Sequence, residues 1–245
     1  MPPISMVAVF KKELRQFFSS LTAYIAIIVF LLLTGLFLFV FPDTSVLDYG
    51  YATLEKFFDL APWILLFLVP AITMRSFADE FRSGTFEILG TRPLTSVQIV
   101  TGKYLSCLLI VFCSLLPTII YAISVQKLSV EGGIDVGGTI GSYIGLFFLA
   151  AVFTAIGVCC SSFSNNAVVA FLVAAFVCFL LYNGFQAISK IPALQSGADY
   201  YVEMLGIDFH YRSMSRGVID TRDVIYFLSL IILFLFITNR NLKKR

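Results

Sequence analysis

Charge is scarce in this chain of 245 residues: Asp, Glu, Lys and Arg make up 13% of it, about half the ~25% of an ordinary soluble domain. A water-soluble globular enzyme does not fit that composition. The 17 basic residues are nearly balanced by 15 acidic ones, so there is no polycationic face and nucleic acid is not an expected partner. Histidine occurs once, as His210. The five cysteines, Cys107, Cys113, Cys159, Cys160 and Cys178, include no Cys-x-x-Cys pair and all fall within apolar runs. An odd number so placed argues against a disulfide framework and fits small packing residues. No metal and no cofactor is expected. Two catalytic signatures are also missing. No Gly-x-Ser-Gly occurs, and Gly102-Lys103 is followed by Tyr104 and lacks the upstream glycine of a phosphate loop. An intramembrane serine protease needs Ser and His facing each other inside the bilayer. His210 lies outside every apolar run, where it reads as a loop residue with local hydrogen bonds. No catalytic residue is therefore expected, and substituting His210 is expected to leave function intact.

What the chain has in abundance is apolar surface: 59% hydrophobic residues, 26 Phe and a mean hydropathy of +0.92. A membrane span needs about 20 mostly apolar residues. Six runs qualify, at about 21–41, 57–74, 104–125, 143–160, 167–185 and 224–238. The sixth is short, so Arg222 and Arg240 are expected to snorkel at its ends. In lipid each span must be a helix, since a lone strand would leave its backbone groups unpaired. The expected fold is an all-α polytopic membrane protein forming one domain over 1–245. The first run is too long for a signal-peptide core and reads as a retained span. With the N-terminus inside, eleven of the Lys and Arg residues fall on the inner side and six on the outer. That places both termini in the cytoplasm. The spans carry almost no ionisable groups, which ion-coupled carriers use, so energy is expected to come from elsewhere.

Two inner segments stand out. In 6–20, Val7, Phe10, Leu14, Phe17, Phe18 and Leu21 form one helical face, opposite Lys11, Lys12, Glu13, Arg15 and Gln16. This predicts an amphipathic helix lying in the membrane interface. Phe10, Lys11, Glu13 and Leu14 are candidates for touching a cytosolic partner. The second segment is the loop between spans two and three. Span two should continue inward, with Arg75–Asp79 and Asp79–Arg82 as helical neighbours. Gly84 should end that helix, Thr85 should cap a short turn from Phe86 to Leu89 with Glu87 near its positive end, and Thr95-x-x-Gln98 should open the next helix as a capping box. The short turn presents Phe86, Ile88 and Leu89 beside Glu80, Arg82 and Glu87. An apolar knob ringed by charge is suited to docking.

The pattern Glu80-x-x-x-Gly84-Thr85-x-Glu87-x-Leu89, then Arg92-Pro93-Leu94 and Gly102-Lys103, resembles permease subunits of type-2 ABC exporters. The resemblance covers essentially the whole chain. Residues 209–227 are most similar to the gliding-motility-associated branch of Bacteroidetes-type bacteria, and the copper-site-maturation permeases share parts of them. The resemblance implies a coupling helix seated in a separate ABC ATPase, docked through Glu80, Arg82, Gly84, Thr85, Phe86 and Glu87. It implies two ATPase copies that bind the ATP, a second permease, identical or related, and a bacterial inner membrane. It also implies two short helices dipping back from the outer loop between spans five and six. Tyr200, Tyr201 and Met204 are candidates for an outer gate there. Two other readings stay open: a secondary carrier or channel working without any ATPase, and a non-transporting scaffold of a secretion machine.

Overall fold

The computed structural model describes residues 6–42, 45–46, 52–90, 94–129, 133–191 and 199–244, apart from the side chains of 22 and 88–90. Every element among them is helical. The chain runs α1 (Met6–Ser19), α2 (Thr22–Phe39), α3 (Glu55–Thr73), α4 (Arg75–Arg82), α5 (Thr85–Gly90), α6 (Ser96–Leu115), α7 (Ile119–Leu128) and α8 (Val136–Phe163). It continues through α9 (Ala167–Phe179), α10 (Phe185–Ser189), α11 (Asp199–Glu203), α12 (Ile207–Ser215) and α13 (Thr221–Leu242). Five helical stretches among the described residues are long and apolar enough to cross a membrane, and a sixth appears if α1 and α2, bent by 67°, are counted as one. The chain is an all-α polytopic membrane protein.

Two spans change helix type for identifiable reasons. Pro117 lacks an N–H, and the third span tightens into a 3₁₀ turn at Leu116–Thr118 between α6 and α7. Tyr143 Oη on α8 donates to the carbonyl of Thr118 at 2.9 Å, accounting for a main-chain group at that break. The fifth span contains a π turn at Leu180–Gly184 between α9 and α10. Such turns insert an extra residue and re-aim the side chains around them.

Helix α8 is the axis of the bundle. It contacts α3, α9, α12 and α13 along its length, and its middle, from Leu149 to Val158, is buried on all sides. Small residues permit this. A Cβ added at Gly157 would overlap Thr73 Oγ1 on α3 and lie 2.9 Å from Thr73 Cβ. All five cysteines are free thiols in buried or half-buried positions.

The sixth span differs from its hydropathy run. Helix α13 has 22 residues, about 33 Å at 1.5 Å per residue, enough for a ~30 Å hydrocarbon core. Polar residues at its ends interrupt the apolar run without ending the helix. Asp220 caps it by accepting from Arg222 N at 3.0 Å. Asp223 is buried against His210, and Asn241 donates to Ser162 O at 2.7 Å.

The spans alternate between two faces. One face carries α1, the α4–α5 elbow, the α8–α9 turn and the end of α13. The other, distal face carries α10–α12 and the α7–α8 connection. There α12, not α11, is the buried element: Ile207, Asp208, His210, Tyr211 and Met214 all point inward. Tyr211 Oη donates to Phe58 O on α3 at 2.7 Å.

His210 is therefore not a loop residue. It sits inside α12 at 4% exposure, with Nδ1 2.7 Å from Asp223 Oδ1 and Nε2 2.9 Å from Met204 O. Its ring stacks on Tyr226 at 3.9 Å. A carbonyl only accepts, so Nε2 is the donor to Met204. The contact pins α12 and the end of α11 to the start of α13.

Candidate functional site

The elbow begins where the main-chain hydrogen-bond ladder of the second span is interrupted, at Met74. Helix α3 ends at Thr73 and α4 restarts at Arg75, so the first N–H groups of α4 need partners. They come from another helix. Ser161 Oγ on α8 accepts from Phe77 N at 3.0 Å and Ala78 N at 3.2 Å, and donates to Met74 O at 2.8 Å. A side chain inserted into the helical ladder in this way weakens it locally.

The stem then ends at Gly84, whose φ of +69° is a left-handed conformation that favours glycine. Ser83 Oγ and Thr85 Oγ1 lie 2.9 Å apart across the turn. The one-turn helix α5 is held back against the stem by rings: Phe81 and Phe86 meet edge-on at 4.9 Å, and Phe77 stacks on Phe81 at 6.0 Å. The capping box at Thr95 and Gln98 is formed, with Thr95 N donating to Gln98 Oε1 at 3.0 Å and Gln98 N to Thr95 Oγ1 at 3.3 Å.

Six candidate residues on the elbow separate by direction. Arg82, Gly84, Thr85 and Glu87 are exposed, and Phe86 is half-buried. Glu80 turns inward, leaving its side chain 13% exposed. Arg75, Asp79 and Arg82, expected as helical ion pairs, form none with one another among the described residues. The side chains of Ile88 and Leu89, and the Arg92-Pro93 pair, lie outside the described residues.

Glu80 belongs to a cluster of two lysines and two glutamates in which Lys103 and Glu13 are buried and Lys12 is exposed. Lys103 on α6, 1% exposed, places Nζ 2.9 Å from Glu13 Oε1 and 3.0 Å from Glu80 Oε1. The same Nζ donates to Ser76 O at 2.6 Å and lies 5.0 Å over the Phe77 ring, within cation–π range. Lys12 adds contacts of 2.8 Å to Glu80 and 3.3 Å to Glu13. Half-burial alone would lower the Lys12 pKa, but its hydrogen bond to Glu80 and the charge of Glu13 outweigh this and raise it. The cluster is neutral by count, and it joins α1, α4 and α6 at one point.

This overturns part of the sequence reading of α1. Periodicity sets Glu13 on the solvated face, but it is 5% exposed and faces Lys103. Val7 and Phe18, on the apolar face, are exposed, as a face turned to lipid would be. Phe10 and Leu14 are half-buried and Lys11 is exposed. Periodicity treats any charge as outward, whereas a carboxylate with a buried ammonium opposite it is satisfied inside.

Lys103 itself was missed, although a signal was present. It shares one helical face with Ile99, Val100, Tyr104 and Cys107, all buried. A lysine on the apolar face of a span marks a paired, functional position. Starting the third span at Tyr104 put Lys103 one residue outside it, but α6 begins at Ser96.

At the distal face, Tyr200, Tyr201 and Met204 are exposed. Tyr200 meets Tyr201 at 6.0 Å and Phe209 at 5.7 Å. Behind them Asp208 pairs with Arg212 at 2.9 Å. Burial raises the Asp208 carboxyl above its ordinary value, with Arg212 pulling the other way.

No curated protein matches the chain. The family described as ABC-2 family transporter protein matches residues 7–203, a stretch that holds α1, the elbow, Lys103 and Ser161. A bundle of apolar helices with one braced elbow is thus a multi-pass membrane protein of the ABC-2 transporter family, the permease subunit of an ABC transporter.

Proposed function

We propose that this permease is driven by a separate ABC ATPase whose cleft receives the α4–α5 elbow. Two ATPases act on two permeases, the second being a copy of this chain or a relative. ATP-driven closure moves the elbows and reshapes the path between the permeases. The face bearing the termini is then cytoplasmic, in keeping with the distribution of Lys and Arg, and the membrane is the bacterial inner membrane. Arg82, Thr85, Phe86 and Glu87 make the contact, helped by Lys11 on α1, while Glu80 and Glu13 act as positioning residues through Lys103.

One observation carries this reading. The exposed rim stands on a stem that Lys103 ties to α1 and α6 and Ser161 ties to α8. Force applied to the elbow is delivered to three helices at once. A loop serving only solubility needs no such brace. Exposed apolar faces on α2 (Ile25, Ile28, Leu32) and α9 (Val168, Leu172, Phe176) suit lipid and a second permease. An outer gate would be formed by Tyr200, Tyr201 and Met204, which are exposed. The likeness of 209–227 to the gliding-motility branch offers motility as the process served.

The test is co-purification from native membranes. Glu87→Lys reverses an exposed charge and should release the ATPase while the permease keeps its wild-type melting temperature. ATPase retained at the wild-type level refutes the docking. Glu80→Lys should also release it, but with a lower melting temperature, because three lysines would then crowd Glu13. Solute movement in liposomes holding the permease alone would indicate a carrier instead. Unchanged cellular function when the partner's hydrolysis is blocked would indicate a scaffold.

A further inference from the structure

The distal face contains a cavity of about 740 Å³ between α3, α8, the π turn and α12, a volume in the range of small-molecule sites. Helix α3 lines it with Glu55, Asp59 and Trp63. These are spaced four apart and so share one helical face. The opposite wall includes Tyr182 in the π turn, whose ring meets Trp63 edge-on at 5.7 Å.

The charges lining the cavity do not cancel locally. Arg212 is committed to Asp208, with Nε 3.2 Å from Oδ1 and an amino nitrogen 2.9 Å from Oδ2. Asp135 is committed to capping α8, accepting from Gly138 N at 3.0 Å. Glu55 and Asp59 remain, exposed and in no salt bridge among the described residues; Arg216 is the other lining cation, and Arg212 and Lys56 act on Asp59 only through their charge. Lys56 follows Glu55 in sequence but does not line the cavity. Two carboxylates one turn apart, continued by an indole 40% exposed, make a wall that is negative at one end and aromatic at the other. Carboxylates attract a cationic head, and aromatic faces hold both the cation and an apolar body.

We propose that this cavity binds an organic cation with an apolar or aromatic body, its charge at Glu55 and Asp59 and its body on Trp63 and Tyr182. That the occupant is cargo rests on the transport function proposed above; that it binds does not, and binding is measured without ATPase or nucleotide.

Trp63 is the only tryptophan of the chain, so its fluorescence reports on this wall alone. The full chain in lipid nanodiscs is titrated with tetraphenylphosphonium and, separately, with tetraphenylborate, an anion of nearly the same shape. The expected result is a saturable Trp63 response to the phosphonium only. Asp59→Asn should weaken it about tenfold, equivalent to one lost charge-assisted contact, and Glu55→Gln should weaken it less. Both residues are exposed, and a melting temperature equal to wild type shows that the variants are folded. A response that rises without saturation, that tetraphenylborate reproduces, or that Asp59→Asn leaves unchanged is lipid partitioning and overturns the proposal. If saturable binding is found but the ATPase does not co-purify, the site stands and the proposed coupling falls.

Discussion

Replacing Lys103 by methionine keeps the length and volume of the side chain and removes one charge. Glu13 and Glu80, whose side chains are 6% and 13% exposed, would then share only Lys12, which is 48% exposed. Removing one partner of a buried ion pair costs about 3–5 kcal/mol, because the other charge is left uncompensated. Lys12 remains in reach, so the lower end applies, about 3 kcal/mol. At roughly 2–4 °C per kcal/mol for a chain of this size, the melting temperature should fall by about 6–12 °C. The assay is thermal unfolding of the purified permease followed by size-exclusion chromatography, alongside limited proteolysis at the elbow, which should quicken as α4 loses its brace. A triple variant, Lys103→Met with Glu13→Gln and Glu80→Gln, removes the stranded charges and should recover most of the loss. A fall of less than about 2 °C for the single variant, or a triple variant no more stable than the single one, would refute the claim that Lys103 neutralises this cluster.

Ser161→Ala removes the acceptor for two buried N–H groups, at a cost of about 1–3 kcal/mol; it should speed proteolysis between Met74 and Gly84 while sparing the distal face. Gly157→Ala forces apart α3 and α8 at Thr73 and should cost about 1–3 kcal/mol as overpacking, read as a lower melting temperature that the pair Gly157→Ala with Thr73→Ala partly restores. His210→Ala strands the buried Asp223 and should lower stability by about 1–3 kcal/mol, contrary to the neutrality expected from a loop position; protease cutting in the segment before α13 is the readout. Tyr211→Phe loses only the bond to Phe58 O and should cost about 1 kcal/mol, a smaller shift than His210→Ala gives.

The helical bundle was legible because it depends on composition and run length, and lipid allows almost no other answer. Gly84 and the Thr95–Gln98 box were legible because turn and cap chemistry is local. The brace was not. Lys103 and Glu13 are 90 residues apart, and no window along the chain relates them. Charge misled at three places for the same reason. Glu13, Glu80 and Asp223 read as solvated or terminating, whereas Glu13 and Asp223 are buried and Glu80 half-buried, each opposite a partner on another helix. Ser161 resembled any other serine in a turn between spans, since nothing local says that its hydroxyl serves another helix. Hydropathy likewise shortened the sixth span, because Asp223 and Asn241 count as polar whether or not they are satisfied.

The hydroxyl of Ser161 has a mechanical consequence. A continuous helix resists bending because its main-chain bonds must stretch together. At Met74 two of those bonds have been handed to a single rotatable oxygen on a different rod, and an oxygen can follow its donors through a small arc. Stiffness is therefore lowered at the junction between α3 and α4. The protein can tilt its handle there without unravelling the shaft, and the compliance of that joint is set by one atom that lies outside the handle.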